Sequence, residues 1–237
     1  MKSAIANPQS AIRPPTYPAR PVNGGPLPKA LPKSGEWFYE PKYNGWRAIV
    51  HIPTGSMFNR KLERLSIASE FKAALDQLRC TLDAEAFKWA DCEALERRHG
   101  IGRGTLIVLD VVPDGLCKFV EVDNDTSTLT QRVPTYLDRR RWLEAVLPYT
   151  ENFFNSLRPC GDNELRLAPR IRADCGIKDK TCGTLSEIWQ QLQAENWRLG
   201  CQFYEGLVAK RADSPYPRQL RNPELDFPFW VKHRWAF

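Results

Sequence analysis

From Glu36 onward, short apolar runs are separated by turn residues and interrupted by three stretches of helical periodicity. Such a pattern predicts a mixed α and β domain. Trp46, Ala48, Val50 and Ile52 alternate with Arg47, Ile49 and His51 and stop at Pro53-Thr54-Gly55. Residues 37–52 therefore read as strand, turn, strand, with one face more buried than the other. Residues 81–89 and 106–112 read as further strands, the second a continuous apolar run suited to a sheet covered on both faces, with Asp110 conspicuous inside it. Two more strands are expected over 206–211 and 229–235, joined by a turn-rich segment containing Asp213-Ser214-Pro215 and Pro217.

The helical stretches are equally plain. Ile67, Phe71, Ala74, Leu75 and Leu78 recur at helical spacing, as do Tyr136, Leu143, Val146 and Leu147 behind Thr135 and Asp138. Both predict amphipathic helices buried on one side. A third helix, about 186–199, carries Ile188, Trp189 and Leu192 and stops at Gly200, where a glycine terminates a helix most cheaply. There is no internal repeat.

Composition narrows the class. The 237 residues are 42% hydrophobic and 26% charged, values of a folding chain that buries its own core. No apolar window reaches the length of a spanning helix, and the N-terminus lacks the apolar stretch of a secretion signal, so a cytoplasmic protein without a membrane partner is expected. Seven cysteines with no C-x-x-C pair argue against a disulfide framework or a zinc ribbon and read as reduced thiols. His51, His99 and His233 have no metal-ligand spacing and read as structural or solvent-facing. Of the net charge of +6, Lys2, Arg13, Arg20, Lys29 and Lys33 supply five units within residues 1–35, where no acid occurs. Eight prolines fall in the same stretch. The expected division is thus an extended basic arm, 1–35, that either follows phosphates or is simply solvated, and a folded domain, 36–237.

The chemistry concentrates at Lys42-Tyr43-Asn44-Gly45-Trp46-Arg47. A lysine at a sheltered strand end can lose its proton more readily and act as a nucleophile, although a lysine beside a turn is ordinarily a solvated surface group. The segment resembles Lys-x-Asp-Gly-x-Arg, the first motif of the covalent nucleotidyltransferases: ATP-dependent DNA ligases, RNA ligases and mRNA capping enzymes. Further segments follow in the family's order. Asn59-Arg60-Lys61 resembles motif Ia, Leu82-Asp83-Ala84-Glu85 motif III, Leu109-Asp110-Val111-Val112 motif IIIa, Tyr204 through Arg211 motif IV, and Trp230-Val231-Lys232-His233-Arg234 motif V. The run Arg139-Arg140-Arg141 falls in a stretch similar to the helix that follows motif IIIa. The resemblance covers about residues 20–235 and is nearest to bacterial end-joining-type and minimal ligases.

The resemblance implies an α+β domain of two mainly antiparallel sheets flanked by helices around an ATP groove. It implies ATP and Mg²⁺ or Mn²⁺ as cofactors, nicked duplex DNA as partner, and a role in DNA replication, recombination or repair. Lys42 matches the lysine that attacks the α-phosphate of ATP; Lys210 and Lys232 match α-phosphate contacts. Glu205 and Glu85 match metal-supporting carboxylates, with ribose as the other role for Glu85. Arg47 matches a ribose or phosphate contact, and Arg60 the residue that meets the 5′-phosphate of a nick. Adenine is expected between apolar side chains including Val208 and Leu109, with hydrogen bonding near Glu40.

Two departures stand out. Asn44 replaces the usual motif I aspartate, and Leu109 the aromatic residue that precedes the motif IIIa aspartate. Five residues follow Lys232, so the OB-fold usual in these ligases is not expected in this sequence: the domain is on another chain, or the sequence is a fragment, or the protein is a minimal nucleotidyltransferase, with a separate OB-fold or other repair partner and a monomeric state as the expectation. An RNA ligase and a binding protein that has lost adenylylation remain as alternatives; GTP-dependent capping fits the segments around Glu40 and Lys210 less well.

Overall fold

The computed structural model describes residues 12, 20–24, 35–95, 101–113, 117–123, 126–148, 153, 157, 161–173, 182–183, 185–217 and 226–235. In chain order these form β1 (Arg20–Asn23), β2 (Trp37–Tyr43), β3 (Trp46–His51), β4 (Ser56–Phe58), a 3₁₀ turn over Ser66–Phe71 leading into α1 (Lys72–Thr81), β5 (Trp89–Leu95) and β6 (Thr105–Val112). There follow β7 (Cys117–Asp123), β8 (Thr126–Arg132), α2 (Tyr136–Val146), β9 (Leu165–Leu167), β10 (Ile171–Ala173), β11 (Cys182–Gly183), α3 (Leu185–Leu199), β12 (Tyr204–Arg211) and β13 (Asp226–Arg234).

One sheet has the order β1-β13-β12-β2-β10-β11, a second β4-β3-β5-β6-β9, and β7 with β8 makes a separate ribbon. Pairing is antiparallel except for β1 with β13, β10 with β11 and β6 with β9. The expected class, α+β with mainly antiparallel sheets and flanking helices, is the observed one. The chain crosses from the first sheet to the second at Asn44-Gly45, between β2 and β3. The site therefore lies where the two sheets meet.

Period-2 burial sets the layers. Ala48, Val50, Ala90, Cys92, Leu106 and Val108 face α1 and α2 and form one core with Leu78 and Leu143. Tyr39, Tyr43, Tyr204, Leu207 and Ala209 form a second core with Ile188 and Leu192 of α3. Thr135 and Asp138 close a reciprocal capping box at the start of α2, as their spacing suggested, and Gly200 ends α3 at φ +65°.

Two expectations are corrected. Residues 81–88 are not a strand: the Asp83 side chain accepts the Glu85 N–H at 2.8 Å and the Asp83 carbonyl accepts the Phe87 N–H at 3.1 Å. An aspartate that satisfies the backbone just ahead of it favours a turn over a sheet ladder, and the strand begins only at Trp89. The boundary at residue 35 also fails to separate arm from domain, because Arg20–Asn23 pairs in parallel with β13. Proline is tolerated there because β1 is an edge strand. Most of the expected arm lies outside the described residues.

Candidate active site

Three neighbouring strands array the site on one face of the six-stranded sheet. In register, Lys42 of β2, Gly206 of β12 and Arg234 of β13 form one row; Glu40, Val208 and Lys232 form the next; Phe38, Lys210 and Trp230 form the third. Alternation alone would turn Glu205 away from this face. Between Tyr204 and Gly206, however, β12 advances two residues while β2 advances one, from Tyr43 to Lys42. Glu205 is the extra residue of this β-bulge, and such a bulge re-aims a side chain. Its carboxylate forms an ion pair with Lys42 Nζ and receives Arg234 Nη2 at 3.1 Å.

The opposing wall comes from the five-stranded sheet. Asp91 and Glu93 lie two apart on β5, on the face opposite the core residues Ala90, Cys92 and Ala94. Glu93 stands across from Arg47 in register and accepts the Gly45 N–H at 3.1 Å. A side chain at Gly45 would place its Cβ 2.7 Å from the Ala94 carbonyl oxygen, so the glycine of the motif is required by the close approach of the turn to β5. Arg47 grips both oxygens of the buried Asp91, Nε to Oδ1 at 2.8 Å, while Tyr216 donates to Oδ2 at 3.0 Å. A second bulge, in β6, leaves Leu109 unpaired between Val108 and Asp110.

Together these residues enclose a cavity of about 320 Å³. Its lining includes Lys42, Glu40, Arg47, Arg60, Glu205, Val208, Lys210 and Lys232, together with Leu109, Glu93 and Arg234. Glu85 is not among them; it is exposed in the turn formed by Asp83. Within the cavity, Lys210 Nζ lies 2.7 Å from Glu40, donates to the Leu109 carbonyl at 3.1 Å and sits over the Trp230 ring at 4.4 Å. Glu40 also accepts Tyr136 OH at 2.6 Å. These two residues form a nearly dry ion pair at the end lined by Leu109 and Val208, while Lys42, Glu205 and Glu93 gather at the other. Arg60 is exposed on the turn after β4, which Asn59 organises by accepting the N–H groups of Lys61 and Glu63.

No family model and no curated protein matches the sequence. Solved structures do match. One described as Pmar-Lig_Pre aligns over 93% of this chain and 47% of its own at 14% identity, with a TM-score of 0.50. A mycobacterial DNA ligase D complexed with ATP and MES aligns over 92% of this chain and 60% of its own at 18% identity, TM-score 0.48. The ATP-dependent DNA ligase of bacteriophage T7 in complex with ATP aligns over 92% and 68% at 14% identity, TM-score 0.48. The fold is that of a ligase nucleotidyltransferase domain. This chain spans 60% of the mycobacterial ligase chain and 47% of Pmar-Lig_Pre.

A further acid lining the cavity, to which the motif resemblance did not point, is Glu93. Its signal was present in the sequence, since Asp91 and Glu93 are two acids at period 2 inside the run Trp89–Leu95. Burial pushes the Glu93 carboxyl up to about 7, opposed by Lys42, Arg47 and the Gly45 N–H. The folded chain thus holds a proton that the unfolded chain releases near 4.5, and this contribution to stability is lost as pH rises between those values. Glu93→Gln should accordingly gain on the wild type by roughly 3 kcal/mol between pH 4.5 and 7 in paired urea-unfolding curves. A wild type and variant that stay parallel across that window would contradict the protonated carboxyl.

Among the described residues no cluster of three metal-binding side chains occurs. Besides Glu40, which is paired with Lys210, the acids that line the cavity are Glu205 and Glu93, the side chains available there as oxygen donors. That suits Mg²⁺ or Mn²⁺, since Mg²⁺ sites commonly use one or two carboxylates with substrate phosphates and water.

Proposed function

We propose that this chain is the catalytic domain of an ATP-dependent polynucleotide ligase that seals nicked DNA. The observation that carries the reading is the placement of Lys42: an amine at a cavity lined by Lys232, Arg47 and Arg60, hydrogen-bonded to Glu205 and flanked by Glu93. Glu205 is within reach of the proton that Lys42 must shed before attack. Lys42 Nζ then forms a bond to the α-phosphorus of ATP as the bond to pyrophosphate breaks. Lys42 next yields the AMP to the 5′-phosphate at a nick and regains its amine, and the 3′-hydroxyl attacks that phosphate with release of AMP.

The cationic side chains divide the work. Lys232 and Arg234 meet the phosphate charge, Arg47 is held in place by Asp91 for the ribose or phosphate, and exposed Arg60 meets the 5′-phosphate at the rim. Lys210 is committed to Glu40 and shapes the adenine end with Leu109 and Val208. Glu205 and Glu93 would hold a divalent cation, which when bound would supply charge neutralisation at the phosphates. An OB-fold domain or another repair partner complements this domain, which acts as a monomer. No helix among the described residues is long and apolar enough to cross a membrane, and a cytoplasmic, nucleoid-associated location accords with a nicked-DNA substrate.

Replacement of the two candidate acids separates their roles. Glu93→Ala should slow adduct formation roughly 10- to 100-fold, whereas Glu85→Ala should match the wild type. Loss of activity on Glu85 replacement with Glu93 dispensable would restore Glu85 to the site. The substrate is tested with fluorescent nicked duplexes, with and without a partner OB-fold domain. A DNA nick bearing a 5′-phosphate should be sealed and one bearing a 5′-hydroxyl should not. Faster sealing of RNA than of DNA would make the chain an RNA ligase, and salt-sensitive DNA binding without sealing or adduct would make it an accessory protein.

A further inference from the structure

Asn44 occupies the turn that carries the chain from one sheet to the other, two residues after Lys42. Its backbone N–H donates to the Phe203 carbonyl at 3.0 Å, and its side-chain Nδ2 donates to the Gln202 carbonyl at 3.0 Å. Gln202 and Phe203 immediately precede β12, whose second residue is the bulged Glu205. The two bonds therefore clamp the approach to the bulge against the strand that bears Lys42. Only a side chain with a donor can make the second bond. An aspartate at this position would set a carboxylate oxygen against the Gln202 carbonyl oxygen, replacing an attraction by a repulsion.

We propose that Asn44 is a positioning residue whose carboxamide sets Glu205 against Lys42, so that this chain works better with asparagine here than with the aspartate usual in the motif it resembles. The inference rests on the reading of Lys42 as the nucleophile. Glu205 holds Lys42 Nζ directly, so a shift of the bulge moves the partner that orients and deprotonates the attacking amine. The backbone bond to Phe203 is available to alanine and aspartate alike, which keeps the turn intact while the side-chain bond is removed or reversed. The effect should fall on the rate of the bond-forming step and not on the affinity for nucleotide, since Asn44 is absent from the cavity lining.

The test is the rate of lysyl-AMP formation, followed by intact-protein mass against ATP concentration with Mg²⁺ present, for the wild type, Asn44→Ala and Asn44→Asp. The expected order of maximum rates is wild type, then alanine, then aspartate, with the aspartate variant slower than wild type by roughly tenfold or more. The ATP concentration at half-maximal rate should change less than about twofold, the split that separates positioning from binding. Where the aspartate variant does not fold, alanine carries the test, and an alanine rate equal to wild type overturns the proposal. An aspartate variant as fast as the wild type, or faster than alanine, overturns it while leaving the nucleophile intact. A folded wild type that binds ATP, was not already adenylylated and forms no adduct contradicts the nucleophile itself.

Discussion

Arg139→Ala is expected to destabilise the fold by about 3–5 kcal/mol. The Arg139 guanidinium and the Asp110 carboxylate are both almost completely buried and meet as a fork, Nε to Oδ1 at 2.7 Å and Nη2 to Oδ2 at 2.9 Å. Arg139 Nη1 also donates to the Pro134 carbonyl at 2.8 Å. Alanine leaves Asp110 charged inside the protein with its main partner gone, and the cost arises from that stranded charge. Urea unfolding should show a lower midpoint at an unchanged slope. Removing both charges in Arg139→Met with Asp110→Asn should recover much of the loss, because the burial penalty then disappears as well. A single variant within about 1 kcal/mol of wild type would show that the pair does not hold α2 against β6.

Gly206→Ala is expected to be comparably damaging to the fold and more damaging to the site. Gly206 has φ +144°, a conformation that L side chains rarely adopt, and an added Cβ would lie 1.9 Å from the carbonyl oxygen of His233. That oxygen belongs to the backbone of the neighbouring strand, so relief requires β12 and β13 to separate or the bulge to relax. Either response takes Glu205 away from Lys42. A cost of roughly 2–4 kcal/mol follows from the strained dihedral and the lost pairing, together with a fall in adduct formation of about 100-fold or more. Unfolding curves and adduct mass measured on the same preparation check both effects, and an alanine variant with normal stability and rate would remove the bulge from the account.

Much of this was legible in the chain because strand alternation is a local signal. The run from Trp46 to Ile52 announced a strand, and β12 and β13 could be placed because each carries a short apolar run, Leu207-Val208-Ala209 and Phe229-Trp230-Val231, on either side of a turn-rich segment. The register that aligns Lys42, Gly206 and Arg234 was not legible, because a bulge is a relation between strands and leaves no mark on one of them alone. That is why Glu205 could be named from resemblance while the reason it faces Lys42 could not. Glu85 could be named from resemblance, and Glu93 could not, for a related reason. Leu82-Asp83-Ala84-Glu85 matches a motif spacing, but Asp83 spends its acceptors on the following backbone and makes a turn, whereas Glu93 sits on a strand whose register places it opposite Arg47. Arg139 and Arg140 read as a charge run, yet both are buried by partners distant in sequence, Asp110 and the Ala168 carbonyl. Strand β1 was hidden by the prolines in and around it, which signal an extended arm equally well whether or not an edge is available to receive it.

The proposed function stands on Lys42 as the nucleophile of a covalent nucleotidyl transfer. The most direct measurement is intact-protein mass after incubation with ATP and Mg²⁺, comparing wild type with Lys42→Ala, each first treated with pyrophosphate to remove any AMP already attached. A gain of one AMP is expected on the wild type, discharged again by pyrophosphate, and no gain on the folded variant. An adduct that persists on Lys42→Ala, or a folded wild type that binds ATP and gains nothing, would contradict it.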